Sequence, residues 1–134
     1  MKKCQKCVIC PFIKEGKTVK GPNFTWKLNE ELNCSTKNRV HMIQCNLEKC
    51  KQKNIGEIKR TLHERISEHV GYVRTKKTSL ATGQHFNKPG HSLGNMTVTI
   101  LEKVKSQDPF YRKERETYYI IKFNTFYRGL NLRP

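Results

Sequence analysis

Three side chains in this sequence have the types and spacing that phosphodiester hydrolysis demands. That reaction needs an acceptor for a water proton, a cation against the charge growing on phosphorus, and a divalent metal held by a carboxylate. Arg65 and His69 stand four residues apart on a segment of helical periodicity, so they share one face. Glu116 belongs to the run Lys113-Glu114-Arg115-Glu116 on a second helical segment. Each also has a plain structural reading. Arg65 and Glu116, on different helices, are more often a surface pair or solvated charges, and His69 falls within an apolar stripe, where a hydrogen-bonded core histidine is the commoner occupant.

A second chemistry is metal ligation. All six cysteines, Cys4, Cys7, Cys10, Cys34, Cys45 and Cys50, lie in the first fifty residues. The segment Cys7 to Phe12 is too short and too rich in cysteine for a signal-peptide core. The expected setting is therefore intracellular (nuclear or otherwise) and not secreted, where thiols stay free or bind metal. Cys4, Cys7, Cys10 and Cys34 form a candidate all-cysteine zinc site, with three of its thiols crowded on one loop. Redox chemistry of the CxxC kind lacks its usual βαβ surroundings. Cys45-x4-Cys50 and His85-x5-His91 are two further loop-spaced pairs of the sort that supplies tetrahedral zinc.

Charge narrows the partners. Twenty-seven Lys and Arg against eleven Asp and Glu leave a net charge of +16, a self-repulsion that a polyanion relieves. Nucleic acid is the first candidate and an anionic membrane surface the second. No run approaches the ~20 apolar residues of a membrane span. Lys51, Lys53, Lys59 and Arg60 precede the first helical segment, Arg74, Lys76 and Lys77 follow it, and Lys103 and Lys105 follow the last strand. Phosphate contacts from such residues position a domain on DNA, with weak sequence preference.

These residues need elements to carry them. Phe24, Trp26 and Leu28 alternate as a short strand after the Gly21-Pro22 turn. Residues 39–56 read as a β-hairpin with a long cysteine-bearing loop, its second strand at Asn54-Ile55-Gly56. Thr61 and Glu64 form a capping box ahead of Leu62, Ile66, His69, Val70 and Val73, which predicts a helix over 61–74. A shorter helix is expected over 78–86, closed by Asn87-Lys88-Pro89-Gly90. Met96, Val98 and Ile100 alternate as a third strand. Asp108 and Pro109 open a last helix running to about Phe123. The fold class is α/β of the α+β kind: a small three-stranded, mainly antiparallel sheet flanked by helices. Residues 1–37 make a Cys-rich lead-in and 38–134 the main domain.

The order and spacing of Val40–Cys45, Asn54–Glu57, Arg60–His69, His85–His91 and Tyr111–Glu116 resemble a GIY-YIG nuclease domain. The likeness is to the version at the C-terminus of Penelope-like retroelement proteins, and it covers about two-thirds of the chain. The resemblance implies a DNA endonuclease in which Arg65 stabilises the developing phosphoryl charge and Glu116 holds one Mg²⁺. It places His69 and Asn124 near the reacting centre. It also groups Cys45, Cys50, His85 and His91 as one zinc site, and it implies a possible larger reverse-transcriptase polyprotein. Both signature tyrosines are replaced, by His41 and Asn54, and Ile58 stands where a threonine is usual. An unperturbed histidine, titrating near ~6.5, suits a general base better than tyrosine's ~10. Asn54 can orient water but takes up no proton. Two further readings stand beside the nuclease: a silent, zinc-stabilised nucleic-acid-binding remnant of that domain, and a zinc-ribbon module whose basic face binds RNA or acidic proteins.

Overall fold

Along residues 39–45, successive side chains enter two different apolar layers. In the computed structural model, which describes residues 1–4, 7–28, 32–125, 129 and 131, Arg39–Cys45 is the central strand β3. Lys53–Ile58 (β4) and Met96–Lys103 (β5) pair with it antiparallel on either side, in the order β4-β3-β5. Period-2 geometry sends Val40 and Met42 to one layer and Ile43 and Cys45 to the other. A register shift against β5 falls between Val40 and His41.

One layer is covered by α1 (Leu62–Arg74) and α2 (Ala81–His85). Thr61 caps α1 as expected. Its hydroxyl accepts from the Glu64 amide at 3.2 Å, and the Glu64 carboxylate accepts from the Thr61 amide at 3.3 Å. Leu62, Ile66, Val70 and Val73 turn inward onto Ile43, Val98 and Ile100. The second helix is shorter than the expected 78–86. Lys76 adopts φ 55° and Leu80 is extended, so the residues between them form a turn.

The other layer is covered by α3 (Pro109–Phe123), with Asp108 accepting from the Phe110 amide at 2.9 Å and Pro109 opening the first turn. A separate two-stranded hairpin, β1 (Thr18–Lys20) and β2 (Thr25–Lys27), packs here too. Trp26 meets Tyr119 edge-on at 5.4 Å and Phe24 meets Phe123 at 5.1 Å. The strand expected around Trp26 is present. Its partner Thr18–Lys20, whose Val19 faces Trp26 in register, carried too little apolar periodicity to be read. The lead-in shares the first layer: Met1, Ile9, Ile13 and Leu32 are buried among the residues of α1, β3 and β5. Ile13 bridges Val98 in parallel.

Candidate functional site: a cleft and two ligand clusters

β3, β4, α1 and α3 converge on a cleft of about 540 Å³. His41, Asn54, Arg65, His69 and Glu116 all line it, so five of the six side chains expected at a reacting centre are brought together. The sixth is not. Asn124 caps α3 in the left-handed conformation and borders a separate small cavity with Lys51 and Lys53. Asn131 lines the cleft instead. Its Nδ2 donates to the Ile55 carbonyl at 2.8 Å, and its Oδ1 accepts from the Ile55 amide at 2.7 Å and the Thr125 hydroxyl at 2.7 Å. An asparagine that extends a strand edge through its own amide leaves no trace in sequence periodicity.

Tyr72 is a second residue that sequence reasoning passed over. It lines the cleft, with its hydroxyl 3.5 Å from Arg65 Nη1 and its ring 5.5 Å from His69. The signal was present: 65, 69 and 72 follow the spacing that stacks side chains along one helix face. Arg65 is further tied to Glu68 at 3.0 Å, a carboxylate shared with Arg60 at 2.7 Å.

Electrostatics differ across the cleft. His41 is 1% exposed and its Nδ1 has no hydrogen-bond partner among the described residues. Burial, then the charges of Arg39, His69 and Arg65, hold it well below the ordinary histidine range. Desolvation and these neighbours all oppose the charged form, so His41 is a weaker base here than an unperturbed histidine. His41 faces Gly56 across the strand pair, where a Cβ would lie 2.8 Å from His41 Nε2. Glycine is what makes room for the ring. His69 lies under the same burial and is lowered to about 3, with Arg65 adding to the effect. Its Nδ1 pairs with the Thr82 hydroxyl at 2.8 Å. Glu116 moves the other way: burial raises it, Lys113 at 3.7 Å opposes, and Glu57 adds. Glu57 is itself bound by Arg112 and by Lys113 at 3.4 Å.

Behind this cleft sits a cation the sequence did not advertise. Arg39 is fully buried, donating to the carbonyls of Ile58 at 3.0 Å and Thr61 at 3.1 Å, and burial lowers it to about 9. It pins the junction from β4 to α1, and hence the approach of Arg65.

Both expected ligand clusters form. The thiols of Cys4, Cys7, Cys10 and Cys34 lie within 4.8 Å of one another, as do ligand atoms of Cys45, Cys50, His85 and His91. Either group can hold a metal ion. In the first, Cys4 and Cys7 approach to 3.2 Å, and burial pushes the Cys34 thiol up. In the second, Cys50 lies 3.4 Å from His85 Nε2. Burial raises Cys50, but its neighbours His91, Gln52 and Cys45 together outweigh that and hold the thiol below its ordinary range. His91 Nδ1 contacts the Pro89 carbonyl at 3.3 Å, a contact that leaves Nε2 as the ligating nitrogen. That Nε2 is buried without a hydrogen-bond partner among the described residues, a deficit that an ion in the cluster would relieve.

The basic residues expected on DNA are unequal. Lys59, Arg74, Lys76 and Lys77 are exposed and form no ion pair among the described residues. Lys51 pairs with Glu48 at 3.7 Å and Arg60 with Glu68, while Lys53 is half-buried and lowered by that burial. No helix among the described residues is long and apolar enough to cross a membrane. Comparison with known proteins finds no family model, no curated protein and no solved structure that matches the chain.

Proposed function

We propose that this chain is a metal-dependent DNA endonuclease domain of the GIY-YIG type, stapled by zinc at its two ligand clusters. The observation that carries the reading is the gathering of His41, Asn54, Arg65, His69 and Glu116 from four elements into one cleft. Arg65, anchored by Glu68, is the cation that meets the nonbridging phosphate oxygens. Glu116 is the carboxylate for a divalent ion, Mg²⁺ in this reading. Its raised proton affinity marks a buried anion short of positive charge, which fits that role. Such an ion, when bound, polarises the phosphate and offsets charge on the leaving oxygen. Asn54, Tyr72 and Asn131 offer hydrogen bonds that orient a water. His41 and His69 stay neutral at pH 7 and so can accept a proton, but their weakened basicity makes turnover slow.

The basic surface supports DNA as the substrate, with Lys59, Arg74, Lys76 and Lys77 as the phosphate contacts. A second reading, the silent zinc-stabilised remnant, is favoured by one observation. His41, at the position of a signature tyrosine, is buried beyond easy reach of water.

Plasmid relaxation in Mg²⁺ separates the two. The endonuclease reading expects nicking that falls by about 10²–10³-fold in Arg65→Ala, the size of losing one transition-state donor, and by at least as much in Glu116→Ala. Nicking that persists in both variants would remove the cleft from the chemistry. Duplex binding without any nicking would decide for the remnant, and gain of activity in His41→Tyr with Asn54→Tyr would then identify what was lost.

A further inference from the structure

Helix α3 divides two clefts. Lys113, Glu116 and Ile120 face the one described above. Tyr111, Arg115 and Tyr119, four residues apart on the opposite side of the helix, line another of about 410 Å³. Its remaining walls come from Trp26 and Lys27 of β2 and from Lys103 and Lys105 at the exit of β5.

We propose that this second cleft binds single-stranded DNA, seating a base against Trp26 and Tyr111 with flanking phosphates on Lys103 and Lys105. The lining combines flat aromatic faces with unspent positive charge, the pairing that holds single strands without reading their sequence. Tyr111 is 41% exposed at the rim, and Trp26 stands behind it against Tyr119. The cleft counts four cations against one carboxylate, Glu102. That carboxylate is already engaged by Arg115 at 2.7 Å and by the Tyr119 hydroxyl at 2.8 Å. Lys27, Lys103 and Lys105 are exposed and form no ion pair among the described residues. An acidic peptide would satisfy the lysines but leave the aromatic walls without a partner. A duplex would offer phosphates but keep its bases stacked. None of these residues takes part in the proposed hydrolysis, so the two proposals stand or fall separately.

Trp26 is the single tryptophan of the chain, which makes its emission a reporter of this cleft alone. Titration of the intact protein with a short oligothymidylate should give saturable quenching, at the same midpoint as anisotropy of a dye-labelled strand. A blunt duplex should bind with little quenching. Tyr111→Ala should weaken the single strand roughly tenfold, as loss of one stacked base does. Lys103→Ala with Lys105→Ala, both exposed and harmless to folding, should lower the salt slope by about 1.4. Glu116→Ala, which tests the nuclease, should leave the titration unchanged. Labelled single strand that binds without altering Trp26 emission would overturn the proposal. So would equal quenching by the duplex or by oligoglutamate, or no binding at ~50 mM salt, where phosphate contacts are strong.

Discussion

The two faces of the three-stranded sheet are held by different means. On the α3 face, Val40, Met42 and Leu101 pack under Tyr119, Ile120 and Phe123, with Phe24 and Trp26 of the hairpin closing the edge. On the α1 face, Ile43, Val98 and Ile100 pack under Ile66, Val70 and Phe86, and every cysteine of the chain is drawn into or against this layer. The cover differs too. A fifteen-residue helix with its own aromatics covers the first. The second is covered by the thirteen-residue α1 and the short α2, and is completed by the lead-in, the β3–β4 loop and the segment after α2. Aromatic area suffices where a long helix lies flat on a sheet. Where loops complete the cover, the two candidate ligand clusters stand at the loop junctions, and a metal ion held there would supply what packing does not.

Metal removal breaks this comparison most severely. Zinc-saturated protein should carry two ions per chain by elemental analysis. Chelation should cost an amount comparable with the ~5–15 kcal/mol of a typical domain's stability, because structural zinc contributes ~10–16 kcal/mol in small modules. During stepwise chelation, the α1 amides should lose protection from hydrogen exchange before those of α3 do. Cys45→Ser with His85→Ala should remove one equivalent and leave the four-cysteine cluster loaded. A chelated protein with an unchanged denaturation midpoint would mean the clusters staple nothing.

The complementary cut is Phe123→Ala. Phe123 is 3% exposed and meets Phe24 edge-on and Tyr119 at a tilt, so truncation should cost about 3–5 kcal/mol by urea denaturation. Zinc content should stay the same. Loss of metal from this variant would show that the faces are one cooperative layer rather than two differently secured ones.

Much of this was legible beforehand because local chemistry and tertiary need agree. Thr61 and Glu64 announce α1, Asp108-Pro109 announces α3, and the alternation at Met96-Val98-Ile100 survives as the β5 face of one layer. Cys4, Cys7, Cys10 and Cys34 meet as the candidate set anticipated, and Cys45, Cys50, His85 and His91 meet as the resemblance implied. What escaped was set by nonlocal geometry. Arg39 reads as one more surface cation until its carbonyl partners on Ile58 and Thr61 are known. Asn131 reaches the cleft only because the chain returns to β4 after α3. The basicity of His41 depends on a burial that its alternation pattern allowed but did not quantify.

A smaller effect distinguishes the faces by pH. His41 and His69 both sit against the α1 side, their rings 6.3 Å apart. His69 titrates at about 3 when folded and near ~6.5 when unfolded. Between those values the unfolded chain binds a proton that the folded one refuses. Its contribution is therefore complete above pH ~6.5 and drains away as pH falls, at up to ~1.4 kcal/mol per pH unit for one proton. His69→Gln should flatten the pH dependence of the urea midpoint by that one proton, measured with zinc present and above pH ~5.5. An unaltered slope would mean His69 is charged or exposed in the folded protein.

The gentlest cut is Thr61→Ala, which deletes the hydroxyl accepting from Glu64 but keeps the backbone carbonyl that receives Arg39 Nη2. Stability should drop by about 1 kcal/mol, the usual worth of an N-cap. Nicking, if the cleft performs it, should be nearly unchanged, because Arg65 is held by Glu68 and Tyr72 rather than by the cap. A tenfold fall in nicking at unchanged zinc content would instead make the capping box part of what aims Arg65. The first turn of α1 would then belong to the chemistry of the cleft and not merely to the α1 face's fold.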